Sequence, residues 1–134
     1  MTIINNKNYV DKAEKVIRGL ISDAEQEATR NKDYIILTTT QLRKQLSMTS
    51  ELFLQAEREP SETLNEELRS KIEYLRVQFV YQAGRETSVK NFIDKAKVIE
   101  ILKEINGNKN YFLTFCRYME ALVAYRKYLG NADK

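Results

Sequence analysis

The sequence predicts an all-α protein, a single compact bundle of about five helices, and three observations carry that prediction. The 134 residues include one Pro and four Gly, so little in the chain interrupts a helix. Leu, Ile, Ala, Glu, Lys and Gln are abundant, and these keep most of their freedom, or have little to lose, in a helix. Apolar residues return at three- and four-residue spacing along most of the chain, the period of a helix with one buried face. A chain of this length makes one domain, residues 1–134. It should bury on the order of two thirds of the surface its unfolded form exposes, enough for one core without staples. No repeat of fixed period, low-complexity tract or linker to a second domain appears.

The first helix runs from about Tyr9 to Thr29, with Val10, Ala13, Ile17, Leu20, Ile21, Ala24 and Ala28 along one side. Residues 1–7 before it and 131–134 at the far end are expected to be flexible, and the charged stretch 29–33 to be a mobile connector. Tyr34 to Leu37 is apolar but isolated, which suits a short extended strap packed on the bundle rather than a sheet. Thr39 or Thr40 caps a second helix to about Ala56, turned inward through Leu42, Leu46, Phe53 and Leu54, and Pro60 ends that segment. Thr63 with Glu66 three residues on forms a capping box before the third helix, whose stripe is Leu64, Leu68, Ile72, Leu75, Phe79 and Ala83. Gly84 either ends this helix or lets its last turn approach a neighbour closely. Ser88 caps a fourth helix carrying Val89, Phe92, Ile93, Ala96, Ile99 and Leu102, stopped by Gly107. The fifth runs from near Asn110 to Leu129, with Phe112, Phe115, Cys116, Met119, Leu122 and Val123 on one side, and Gly130 closes it.

Composition excludes much chemistry. The chain has no His, which removes imidazole acid–base catalysis, Ser and Cys triads and nearly every transition-metal site. Phosphate-loop, dinucleotide, CxxC and HExxH motifs are missing. Glu62 with Glu66, and Glu100 with Glu104, sit four apart but lack a third inward acid, so they read as solvated faces and no metal or other cofactor is expected. Cys116 is a single cysteine that fits a small apolar core position in a reducing compartment. No apolar run approaches the length of a bilayer crossing, and the polar start MTIINNKNYVDK has no apolar segment of a signal peptide. A soluble, cytoplasmic protein that is not an enzyme is the expectation.

Charge is unevenly placed. Residues 1–67 carry nine basic and twelve acidic side chains, a net of −3, whereas residues 68–134 carry thirteen and seven, a net of +6. Such asymmetry fits a polyanion or an acidic protein surface as partner, or else ordinary solvated helix faces. Arg69 and Arg76, seven apart, share a face of the third helix that continues towards Tyr81 and Arg85. Arg43 and Lys44 lie near the start of the second helix, where the helix dipole disfavours cations, a weak hint of an external anion. Tyr111, Tyr118 and Tyr125 recur every seven residues beside the apolar stripe of the fifth helix, while Arg117, Arg126 and Lys127 fall on its other faces. A helix so apolar all round is central to a bundle or meets a partner on its second side. The tyrosines therefore read as core or subunit interface, with base stacking the alternative.

Three long strings are recognisable: YLRVQFVYQAGRE from Tyr74 to Glu86, VKNFIDKAKVIEILKEI from Val89, and FCRYMEALVAYRKYLG from Phe115. They resemble the small subunit of the Csm complex, the type III-A CRISPR effector, from about Leu37 to Gly130. The chain departs from the family pattern at Arg126 and in the ending YLGNADK. The resemblance implies a non-catalytic helical protein stacked in several copies along the channel that holds guide RNA and target RNA, supporting assembly and target binding in antiviral defence. Its implied partners are the RNA backbone, the large subunit, the backbone subunits and neighbouring small-subunit copies, with a homodimer possible in isolation. A subunit of this kind leaves sequence to base pairing and recognises backbone charge and shape. Arg43, Lys44, Arg76, Arg85, Lys90, Arg117 and Lys127, with Gln82 as a polar donor, form the pool of RNA contacts. About half are expected to touch RNA, since Arg85 and Arg117 could instead pair with carboxylates. The alternative is a helical protein-interaction adaptor without direct RNA contact.

Overall fold

The protein is described by a computed structural model over residues 2–28 and 36–129. Six helices stand among these residues: α1 Tyr9–Ala28, α2 Thr39–Arg58, α3 Glu66–Arg85, α4 Thr87–Ala96, α5 Val98–Ile105 and α6 Lys109–Leu129. The all-α bundle is as expected, with one helix more. The expected connector 29–33, Tyr34 and Ile35 of the strap, Gly130 and the tail 131–134 lie outside the described residues. Ile36 and Leu37 are non-helical and Leu37 is buried, in keeping with a strap.

Local chemistry sets each start and stop. Thr38, one residue earlier than expected, caps α2: its side chain accepts from the Gln41 backbone at 3.0 Å, while Gln41 Oε1 accepts from the Thr38 backbone at 2.9 Å. Thr63 does not cap α3. Residues 62–64 run alongside 107–109, with Leu64 N–H donating to Gly107 at 2.8 Å and Lys109 N–H to Glu62 at 3.0 Å. That pairing moves the cap to Asn65, whose Oδ1 accepts from Leu68 at 2.8 Å. Gly84 sits one residue before the end of α3 with open space around it, so neither role expected for it is realised.

The fourth helix of the sequence reading is two helices. Lys97 adopts the left-handed conformation (φ 59°, ψ 38°) between α4 and α5, which costs roughly 1–2 kcal/mol in a residue with a Cβ. The break resets the phase: α4 buries Val89, Phe92, Ile93 and Ala96, and α5 buries Val98, Ile101, Leu102 and Ile105. An unbroken helix would have continued inward through Glu100 and Lys103. Ser88 accordingly lies inside α4 rather than at its cap, which is Glu86.

α6 packs chiefly between α1 and α2. Its Phe112, Phe115, Cys116, Tyr118, Met119 and Leu122 are buried, Phe115 meeting Phe112 at 6.2 Å and Phe79 of α3 edge-on at 6.4 Å between ring centroids. The helix that looked apolar all round is central. In the segment before α1, Ile4 is fully buried, Ile3 N–H donates to Glu104 at 2.9 Å and Thr114 Oγ1 to Asn6 Oδ1 at 2.7 Å.

Candidate nucleic-acid interface

Three cross-links gather helix ends at one end of the bundle. The Gln41 amide of α2 donates to the Glu86 carboxylate just after α3, Ser88 of α4 reaches Gln41 at 3.4 Å, and Arg126 Nε of α6 donates to the Leu37 carbonyl at 2.8 Å. The beginnings of α2 and α4 and the ends of α3 and α6 therefore meet. Arg43, Lys44, Gln82, Arg85, Lys90 and Lys127 stand on the helix ends that these cross-links tie together, although they span 85 positions of sequence. All but the half-buried Gln82 are exposed.

Few of these cations are neutralised. Lys90 pairs with Asp94 at 3.2 Å, both well exposed, a contact worth less than about 1 kcal/mol. Arg85 lies 5.7 Å from the centre of the Tyr81 ring. Arg43, Lys44 and Lys127 make no ion pair with any described residue. Arg85 and Lys127 occupy last turns, where the helix dipole favours them. With Thr38 as cap, Arg43 and Lys44 fall beyond the first turn of α2, so the dipole penalty argued from sequence fades.

Two expected contacts lie elsewhere. Arg76, midway along α3, pairs with Glu73 at 3.0 Å, and Arg117 is exposed near the middle of α6. Arg76 and Arg85 are nine residues apart, about two and a half turns, so they face different sides and the expected single ridge to Arg85 is not formed. Arg126 is no surface cation at all: it is 2% exposed.

The tyrosines divide. Tyr118 is 2% exposed and its hydroxyl donates to the Ala96 carbonyl at 2.9 Å, placing it in this chain's own core. Tyr111 is half-buried with its hydroxyl on Glu104, and half-buried Tyr125 meets exposed Tyr128 edge-on at 6.4 Å. Burial raises the ionisation of Tyr111 and Tyr118 above the ordinary phenol range, the Glu104 bond adding to it for Tyr111. Burial likewise pushes the Cys116 thiol up, with Glu120 adding to it against Arg117, so it stays protonated and inert. No group of three or more acidic or thiol side chains able to hold a metal occurs among the described residues.

One surface was missed. Tyr74, Val77, Val80 and Tyr81, between 54% and 63% exposed, form an apolar outer face on α3 opposite its buried Leu68, Ile72, Leu75 and Phe79. The spacing of a second stripe in YLRVQFVY was the available signal.

The Csm2 Type III-A family matches residues 14–132. The chain belongs to that family. It is thus a small subunit of the type III-A CRISPR (Csm) complex, and the resemblance read from the three strings is shown. The CRISPR system Cms protein Csm2 of Mycobacterium tuberculosis is 48% identical over 134 residues, all of both chains. That of Streptococcus thermophilus is 48% identical over 134 residues, 99% of this chain and all of its own. That of Enterococcus italicus is 38% identical over 100 residues, 72% of this chain and 71% of its own. Csm2 membership implies assembly with other Csm subunits. No described helix of this Csm2 chain is long and apolar enough to cross a membrane.

Proposed function

We propose that this Csm2 subunit is a non-catalytic, RNA-contacting element, stacked in several copies along the guide and target RNA and gripping the backbone without reading sequence. What supports the reading is that Arg43, Lys44, Arg85, Lys90 and Lys127 are exposed, stand on helix ends cross-linked at one end of the bundle, and mostly lack carboxylate partners among the described residues. Exposed cations of this kind neutralise phosphates irrespective of base, which suits a complex whose sequence reading is done by pairing. The groups whose ionisation shifts are all moved away from neutrality, so none is tuned for proton transfer at pH 7.

The outer face of α3 supports a protein contact beside the RNA contact. Four exposed apolar side chains in one stripe with a polar surround mark a protein-binding patch on a soluble domain. A neighbouring small-subunit copy, a homodimer mate in isolation or another Csm subunit would cover it, with Tyr111 and Tyr125 as further edges of contact. Photo-crosslinking of the assembled complex to target RNA tests the reading. Crosslinked peptides should map to the first two turns of α2, the α3–α4 junction and the end of α6. Crosslinks to this subunit confined to α1, or none, would favour the adaptor reading.

A further inference from the structure

At the other end of the bundle, α3 and α5 enclose a cleft of about 510 Å³ whose lining includes Glu66, Arg69, Glu73, Lys103, Asn106 and Gly107. Its floor is the turn after α5, where Asn106 (φ 42°) and Gly107 (φ 80°) are both left-handed. Arg69 covers Gly107. A Cβ there would stand 2.9 Å from both Nε and Cζ of Arg69, so the guanidinium rests on a backbone that only glycine leaves bare. The guanidinium makes no hydrogen bond or ion pair with any described residue. Glu73, in the same cleft, is taken by Arg76 at 3.0 Å. An exposed guanidinium resting on the Gly107 turn, with its fork of donors open to solvent, is placed to receive an anion without first breaking an ion pair.

We propose that this cleft is a second phosphodiester-binding site, with Arg69 as the two-pronged donor and Lys103 as the point charge beside it. The proposal rests on the RNA-contacting reading and adds a site that reading does not contain. Arg69 and Arg85 are sixteen residues apart on α3, so the cleft lies about 24 Å along the helix from the first group. The lining sets Arg69 and Lys103 against the carboxylates of Glu66 and Glu73, the latter already engaged by Arg76, and so much charge favours a nucleic-acid backbone over the charge-depleted centre of a protein interface. Arg–phosphate recognition is commonly bidentate, which matches a guanidinium presented flat and unpaired.

The test compares complexes reconstituted with Arg69→Gln plus Lys103→Gln, with Arg43→Gln plus Lys44→Gln, and with the unaltered subunit. Target-RNA affinity is measured across a salt series and assembly by sedimentation. The cleft variant should assemble normally and lose affinity, its slope of log affinity against log salt flattening by about 0.7 for each copy in contact, the value for one single-strand phosphate. If the cleft variant keeps the unaltered slope while the α2 variant loses it, the cleft is not a phosphodiester site although the RNA reading stands. If both keep it, both readings fail. If the cleft variant instead loses assembly with RNA affinity unchanged in the complexes that form, the occupant is an acidic protein surface and the proposal is overturned.

Discussion

Gln45 of α2 is 1% exposed and its side-chain oxygen has no hydrogen-bond partner among the described residues. A buried unsatisfied acceptor costs about 1–3 kcal/mol, so Gln45→Met, similar in length, should raise stability by about 1 kcal/mol, read as a higher urea midpoint at constant m-value. Arg126 has the opposite sign. Its removal strands the Leu37 carbonyl and opens a void, and Arg126→Ala should cost at least about 2 kcal/mol. Arg43→Ala should change the same midpoint by less than about 0.5 kcal/mol. The pattern in the sequence already contained this difference. Arg126 stands four residues after Leu122 and seven after Met119, on the buried stripe of α6, but charge outweighed spacing in reading it. Tyr118 was ambiguous for a related reason: an amphipathic ring fits core and interface equally, and only the Ala96 carbonyl decides between them.

At the scale of elements, boundaries set by side-chain caps were nearly legible and those set by partner segments were not. Thr38 and Gln41 are local, and Thr38→Ala should cost about 1 kcal/mol by removing the α2 cap. The shift of the α3 cap from Thr63 to Asn65 follows from pairing with residues 107–109, more than forty positions away, which no local rule contains. The break at Lys97 lies between. No Gly or Pro announces it, yet the apolar stripe steps by two from Ala96 to Val98, and that irregularity is its trace. Gly107, read as a helix stop, also carries Arg69. Gly107→Ala puts a Cβ on a backbone at φ 80° and displaces the end of Arg69, and thermal melting should show a loss of about 1–2 kcal/mol, set by the disfavoured φ.

The molecule as a whole should be indifferent to pH across neutrality. It contains no His, so no side chain with an ordinary ionisation between pH 5 and 8 is present. Cys116, Tyr111 and Tyr118 ionise at higher pH folded than unfolded. Their contribution is complete below the unfolded values, about 8.5 for Cys and 10 for Tyr, and is lost as pH rises above them. Melting temperature should be flat from pH 6 to 8 and fall above about pH 9; a step near pH 6.5 would contradict this.

The fold class, the all-α bundle and the family were legible because they rest on composition, period and long shared strings. The placing of the cations was not, since Arg43 and Lys127 reach the same end of the bundle only when four helix ends are cross-linked there. The most direct measurement of the central claim is the salt dependence of target-RNA affinity for the complex carrying Arg43→Gln, Lys44→Gln, Arg85→Gln and Lys127→Gln together. If about half of these touch phosphate, the slope of log affinity against log salt should flatten by about 1.4 per copy, with assembly intact. An unchanged slope in a fully assembled complex would contradict the account.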